Sequence, residues 1–236
     1  MKKIETTYIF QRVEKKYLLS EDKYFAFLEE IEPYMKTDSY GLTTICNIYF
    51  DTEHYDLIRN SLDKPPYKEK LRLRSYGIPK EDSTVFLEVK KKCYGTVYKR
   101  RVAMTAEEAG KYLETRKKPA CYSQILKEID YFLDYYQPEK KLYLAYDRIA
   151  YREKEGDSLR ITFDSNIRSR EYDLDLAYGD YGEALLKEGE YLMEIKSGDA
   201  MPLWLVHILS ELQIYPISFS KYGRVYANDL AEAVVG

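Results

Sequence analysis

KEKLRLRS, residues 68–75, sets Lys70, Arg72 and Arg74 at every second position with Leu71 and Leu73 between them. In an extended strand this spacing sends the leucines to one face and the three cations to the other. The leucine face calls for a hydrophobic core. The cation face is either bathed in solvent or turned toward an anion, and one strand alone does not decide between them.

The same alternation recurs along the chain. RVEKKY places Arg12, Glu14 and Lys16 together against Val13 and Lys15, and VFLEVK places Phe86, Glu88 and Lys90 against Val85, Leu87 and Val89. VYKRRV groups Lys99 with Arg101, AYDRIAYR groups Tyr146, Arg148 and Ala150, SLRITFD groups Arg160, Thr162 and Asp164, and LMEIKSG groups Glu194 with Lys196. A solvated outer face would carry both signs of charge among Ser, Thr and Gln. Here cations outnumber acids roughly two to one on the polar face, in a chain whose net charge is −3. The asymmetry leads us to expect an α+β fold: an antiparallel β-barrel, apolar outside under flanking helices, with a charged interior that receives an anion.

If all point inward, Lys16, Arg72, Arg74, Lys90, Lys99, Arg101, Arg148, Arg160, Lys196 and Lys221 bring ten positive charges. Glu14, Glu88 and Glu194 offset three, while Asp164 is expected to cap a strand end instead. Enclosing like charges without a counter-charge is costly, so such a lumen expects a strongly charged guest. A nucleoside triphosphate supplies about four negative charges. The surplus suits a longer phosphate chain, or a triphosphate with a second phosphorylated species. Arginine's planar fork donates two hydrogen bonds at once to phosphate oxygens, and lysine acts as a point charge.

Composition narrows the field. With 45% hydrophobic and 33% charged residues over 236 positions, the chain reads as an ordinary soluble protein. The slightly acidic balance argues against a general nucleic-acid binder, which needs a broad basic excess. Cys46, Cys93 and Cys121 are odd in number and form no CxxC pair, which speaks against a disulfide framework or zinc site and for a reducing compartment. No apolar run has the length of a signal peptide or of a transmembrane segment, so a cytoplasmic protein is expected. Without repeats, low-complexity tracts or a linker, residues 1–236 read as one domain.

Strands are expected over 10–19, 42–51, 68–77, 83–93, 96–104, 141–152, 159–167, 190–198 and 215–220, each rich in β-branched and aromatic residues. Helices are expected after Ser20, from Thr105 with Glu108 completing a capping box, near Ala120, from Pro202 and after Ser220. The first of these would turn Tyr24, Leu28, Ile31 and Met35 inward. Short turns such as the one in KKCYGTVYK require antiparallel pairing and exclude a doubly wound parallel sheet. His207, in LWLVHILSEL, reads as a packed or rim residue rather than a ligand, and Cys46 as core. The single glycine of YGRVYA rules out a phosphate loop.

RVEKKY resembles a variant of the ExExK signature of the CYTH, or triphosphate tunnel metalloenzyme, superfamily, with Arg12 where the first acid usually stands. More specifically, KLRLRS, LEVK, YKRR, YDRIAYR, LRITFD, LMEIK and FSKYGR, in this order and spacing, are similar to the vacuolar transporter chaperone (VTC) type of polyphosphate polymerase domain, from about Phe10 to Ala227. The resemblance implies a barrel that forms a tunnel, and transfer of the terminal phosphate of ATP to a growing polyphosphate chain with a divalent metal, Mn²⁺ or Mg²⁺. It makes Arg72, Arg74, Lys90, Lys99, Arg148, Arg160, Ser220 and Lys221 phosphate ligands, with Lys16 near the tunnel entrance, Tyr146 beside the reacting phosphates and Glu194 on the metal. Arg72, Arg74, Lys90, Arg148, Arg160 and Lys221 would stabilise the moving phosphoryl group, and Lys16, Lys99, Arg101, Tyr146, Lys196 and Ser220 would hold substrate. Ser218 stands where the family can carry a further lysine. The expected partners are ATP and polyphosphate, with room for a membrane-protein partner and none for nucleic acid. A CYTH-type tunnel triphosphatase and a catalytically silent polyphosphate-binding module are the alternatives.

Overall fold

Tyr67–Tyr76 forms a strand in which Leu71 and Leu73 are buried and Lys70 and Arg72 lie half-exposed on the other face, as the period-two pattern requires. The computed structural model describes residues 13–119, 123–198 and 200–235. In chain order the elements are β1 (Val13–Leu19), α1 (Glu21–Ile31), β2 (Met35–Thr37), β3 (Thr43–Asp51), α2 (Asp56–Leu62), β4 (Tyr67–Tyr76), β5 (Thr84–Cys93) and β6 (Thr96–Thr105). There follow α3 (Ala106–Thr115), α4 (Gln124–Tyr136), β7 (Glu139–Glu153), β8 (Leu159–Arg170), a 3-10 turn (Leu176–Tyr178), β9 (Glu183–Ala184), β10 (Tyr191–Ser197), α5 (Leu203–Glu211) and α6 (Lys221–Val235). Arg12 and Cys121 lie outside the described residues, as does part of the strand expected over 10–19.

The chain divides into two compact units, each assembled from three separate segments. The first takes residues 1–42, 148–165 and 189–218. Its antiparallel sheet runs β1, β10, the start of β8, the end of β7 and β2. One side of that sheet is covered by α1 and α5. Tyr24, Phe27 and Ile31 from α1 and Leu205, Ile208 and Leu209 from α5 pack with Tyr17, Leu19, Ile161, Phe163, Met193 and Ile195 of the strands. Burying side chains of this size contributes about 1.5–3 kcal/mol each.

The second unit takes residues 43–147, 166–188 and 219–236. Its antiparallel sheet runs β9, the end of β8, the start of β7, β3, β4, β5 and β6. Leu71, Leu73, Val85, Leu87 and Val89 of the sheet pack with Tyr112 of α3 and with Leu126, Ile129 and Phe132 of α4. A complete capping box starts α3: the Thr105 hydroxyl accepts from Glu108 N at 3.1 Å and the Glu108 carboxylate accepts from Thr105 N at 3.1 Å. The turn between β5 and β6 places Tyr94 and Gly95 at φ 45° and 88°, the pair of left-handed residues that a two-residue hairpin needs.

Several expectations are corrected. Met35 is buried in β2 rather than on the helix stripe, and Phe27 takes the place in the core expected of Leu28, which is only partly buried. Residues 215–220 form no strand; Ile217 makes a single bridge to Lys16. Among the described residues the pairings leave an open antiparallel sheet in each unit, and the closed barrel expected from the alternation is not among them.

Candidate functional site

The second unit carries its charges in rungs across β3, β4, β5 and β6. Tyr49, Arg72, Glu88 and Arg101 form one rung; Asn47, Arg74, Phe86 and Ala103 form the next; and Lys70, Lys90 and Lys99 form a third. Glu88, buried among cations, organises them. Arg72 meets its Oε2 through Nε at 2.7 Å and Nη2 at 2.6 Å, Arg74 Nη1 lies 3.9 Å from the same oxygen, and Lys99 Nζ lies 3.1 Å from Oε1. Three cations thus share one acid.

The arginines are aimed by neutral groups as well. Arg74 donates Nε–H to Asn47 Oδ1 at 3.0 Å and Nη2–H to the Tyr146 hydroxyl at 3.3 Å, while Asn47 is itself fixed by donating to the Leu144 carbonyl at 3.0 Å. Arg72 donates Nη1–H to the Tyr49 hydroxyl at 3.2 Å. The guanidinium of Arg101 lies 4.7 Å from the Phe86 ring centre, and Lys221 Nζ lies 4.4 Å from that of Tyr146. At the back of this cluster, buried Asp51 accepts from Leu57 N, Ile58 N and the Tyr222 hydroxyl, which ties the start of α2 to α6 beside Lys221.

The crowding of positive charge shows in the titration of its members. Burial opposes ionisation of Glu88, but Arg72, Arg74 and Lys99 outweigh it and hold the carboxyl at about 2. Burial would raise the Tyr49 hydroxyl, yet Arg72, Arg74 and Lys70 bring it down to about 8. Lys99 is lowered to about 8 by burial and by Arg72 and Arg74, against the pull of Glu88.

The first unit has its own polar rungs. Lys16, Glu194 and Thr162 form one, and Glu14, Lys196 and Arg160 the next. Glu194 is buried and its Oε1 lies 2.5 Å from Lys196 Nζ. Burial alone would raise its carboxyl, but Lys196, Lys16 and Arg148 hold it well below the usual carboxylate range. Beside it the buried Thr162 hydroxyl has no hydrogen-bond partner among the described residues.

The expected site residues therefore fall into two sets. Arg72, Arg74, Lys90, Lys99, Arg101, Tyr146, Ser220 and Lys221 belong to the second unit, and Lys16, Arg148, Arg160, Glu194 and Lys196 to the first. One placement differs from expectation. Asp164 caps no strand end: it is buried and takes the guanidinium of Arg148 in a bidentate pair. Arg160 is exposed and pairs with Asp38 at 3.1 Å. The Ser220 hydroxyl accepts from Gly223 N at 3.2 Å, capping α6. His207 is exposed. Asn47 and Tyr49, which the sequence reading passed over, are the polar positions alternating with Cys46, Ile48 and Phe50, and that alternation was their signal.

Two solved structures share this fold. A candidate adenylate cyclase from Bacillus halodurans superposes with a TM-score of 0.57 at 15% identity, covering 89% of this chain and 93% of its own. A candidate adenylyl cyclase from Hippeastrum, described as having a dominant triphosphatase activity, superposes with a TM-score of 0.54 at 17% identity, covering 92% and 96%. At these identities the likeness is one of fold. The chain itself belongs to the VTC domain family, whose pattern matches residues 11–228. No curated protein matches it.

Proposed function

We propose that this chain is a polyphosphate polymerase that transfers the terminal phosphate of ATP to a growing polyphosphate chain. The observation that carries the reading is the gathering of Arg72, Arg74 and Lys99 about the single acid Glu88, a positive surplus suited to phosphate oxygens, in a chain of the VTC family. Family membership raises the polymerase above a triphosphatase or a silent binding module.

In this reading an oxygen of the chain's terminal phosphate attacks the γ-phosphorus of ATP, the new P–O–P bond forms, and the β–γ bridging oxygen leaves with its electron pair on ADP. The attacking group is already anionic, so neither a protein nucleophile nor a general base is needed. Arg72 and Arg74, pinned at Nε by Glu88 and Asn47, hold and orient phosphate oxygens through their outer nitrogens. Lys90, Lys99, Arg101 and Lys221 add charge in the same unit, and fixed charge of this kind is typically the largest catalytic term.

A divalent metal belongs to this reading, and the residues fit one held chiefly by substrate. Among the described residues no group of three or more His, Cys, Asp or Glu is placed to hold an ion. Glu194 offers one carboxylate, and the Thr162 hydroxyl on the paired strand, without a hydrogen-bond partner among the described residues, leaves room for a polar guest beside it. Magnesium and manganese accept such a set, completed by phosphate oxygens and water. When bound, the ion neutralises charge on the transferred group. ATP and polyphosphate are the substrates, and no helix among the described residues is long and apolar enough to cross a membrane.

The test is incubation of the protein with ATP and Mn²⁺, with products resolved on a gel stained for polyphosphate. A ladder of chains is the expected result. Inorganic phosphate alone would make the protein a triphosphatase, and binding without turnover a silent module; either overturns the proposal.

A further inference from the structure

Two rungs of the second unit's sheet set like charges directly opposite one another. Lys70 faces Lys90, which faces Lys99, and one rung nearer the hairpin turn Lys68 faces Lys92. Directly opposed like charges destabilise a sheet. The other face of the same strands avoids this, since Lys91 lies 3.5 Å from Glu69 and Arg100 lies 2.5 Å from Glu128. On the cationic face, among the described residues, no acidic side chain lies within ion-pair distance of Lys68, Lys90 or Lys92.

Lys68 is nevertheless held in place. Its Nζ donates to the Ser61 carbonyl in the last turn of α2 at 2.9 Å, and its pKa is lowered by burial and then by Lys92, Lys90 and Lys64. A sheet that keeps an uncompensated lysine rung at a cost in stability has a use for an anion there. The rung continues, on the same face, the line that begins at Arg74 and Arg72 and passes Lys70 and Lys90. Four residues of strand separate Arg72 from Lys68, roughly 13 Å.

We propose that the Lys68–Lys92 rung is an outer subsite for a linear polyanion longer than a triphosphate, reached only by a chain that extends several P–O–P links past the Arg72 rung. The inference rests on the phosphate-binding reading above and adds chain-length discrimination to it. Inorganic polyphosphate fits better than a lipid surface, because the rung lies in line with the arginines and most of its neighbours on that face are cations.

The experiment compares Lys68→Gln, Lys92→Gln and the double variant with the parent, measuring affinity for tripolyphosphate and for long-chain polyphosphate across a salt series. The double variant is expected to lose on the order of tenfold in long-chain affinity, with a flatter salt dependence. Tripolyphosphate affinity should stay within about twofold of the parent's. Thermal melting serves as the folding control and should not fall, because an opposed like-charge pair has been removed. A parent that binds neither polyanion refutes the phosphate reading itself. A parent that binds both, with the double variant unchanged or with both affinities reduced alike, refutes the outer subsite alone. Loss of binding to phosphatidylserine vesicles with long-chain affinity intact would assign the rung to lipid and overturn the proposal.

Discussion

Arg148 turns both edges of its guanidinium to Asp164, with Nε 2.5 Å from Oδ1 and Nη2 2.7 Å from Oδ2. The carboxylate is 1% exposed and the guanidinium 19%, so the pair is largely withdrawn from water. Removing one member of a buried pair typically costs about 3–5 kcal/mol. Arg148→Ala should lower stability to urea by about that amount, and Arg148→Lys should recover only part of it, since an ammonium cannot reproduce the fork. If Arg148→Ala unfolds like the parent, the pair is not the charge balance described here.

Glu88 is predicted to make stability fall in acid. Its folded pKa, about 2, lies below the ordinary value of 4.5, so the unfolded chain takes up the proton first. The stabilisation is present above pH 4.5 and is lost as pH falls toward 2, and amounts to about 3 kcal/mol at full extent. Glu88→Gln should be less stable than the parent at neutral pH and should show a shallower decline across that window. Denaturation followed at several pH values reads both.

Lys99 carries the opposite sign. Its pKa of about 8 means that its charge fades as pH rises through 8, so tripolyphosphate affinity should decline between pH 7 and 9. Bound phosphate would restore the proton, and binding at pH 8 should take up a fraction of a proton, visible as a buffer-dependent enthalpy in calorimetry. Lys99→Gln should bind more weakly at pH 7 and lose the slope.

Glu194→Gln separates metal from scaffold. In the proposed reading Glu194 holds the ion, so turnover should fall by orders of magnitude and its dependence on Mn²⁺ should weaken. Polyphosphate binding without metal should persist or tighten, since one negative charge has left an anion-binding face. A variant that is merely less stable, with an unchanged Mn²⁺ response, would make Glu194 a partner of Lys196 and nothing more.

The alternation in KEKLRLRS was enough to place Leu71 and Leu73 in the core and Arg72 and Arg74 on the other face, because strand geometry has a period that residue type alone reveals. Thr105 with Glu108 announced α3 for a similarly local reason. Less was legible where the answer depended on register. Asp164 and Arg148 sit on different strands, and only the length of the turn between β7 and β8 brings them opposite each other. Helix α2 escaped because seven residues are too few to show a helical period, and it is preceded by Tyr55 at φ 60° rather than by a conventional cap. Residues 215–220 have strand composition, but only Ile217 finds a bridging partner. The role of Asn47 depends on hydrogen bonds to Arg74 on the strand at one side and to Leu144 on the strand at the other.

In the first unit, β10 lies between β1 and β8 and supplies the partners of both. During synthesis β1 emerges from the ribosome long before residues 191–197 exist, and until then that strand has an open flank with Tyr17 and Leu19 uncovered. The nascent chain therefore passes through a long interval in which an incomplete sheet edge can recruit strands from other molecules. Slowed elongation before residue 191 should increase aggregation, and a holdase chaperone that covers β1 during that interval should suppress it.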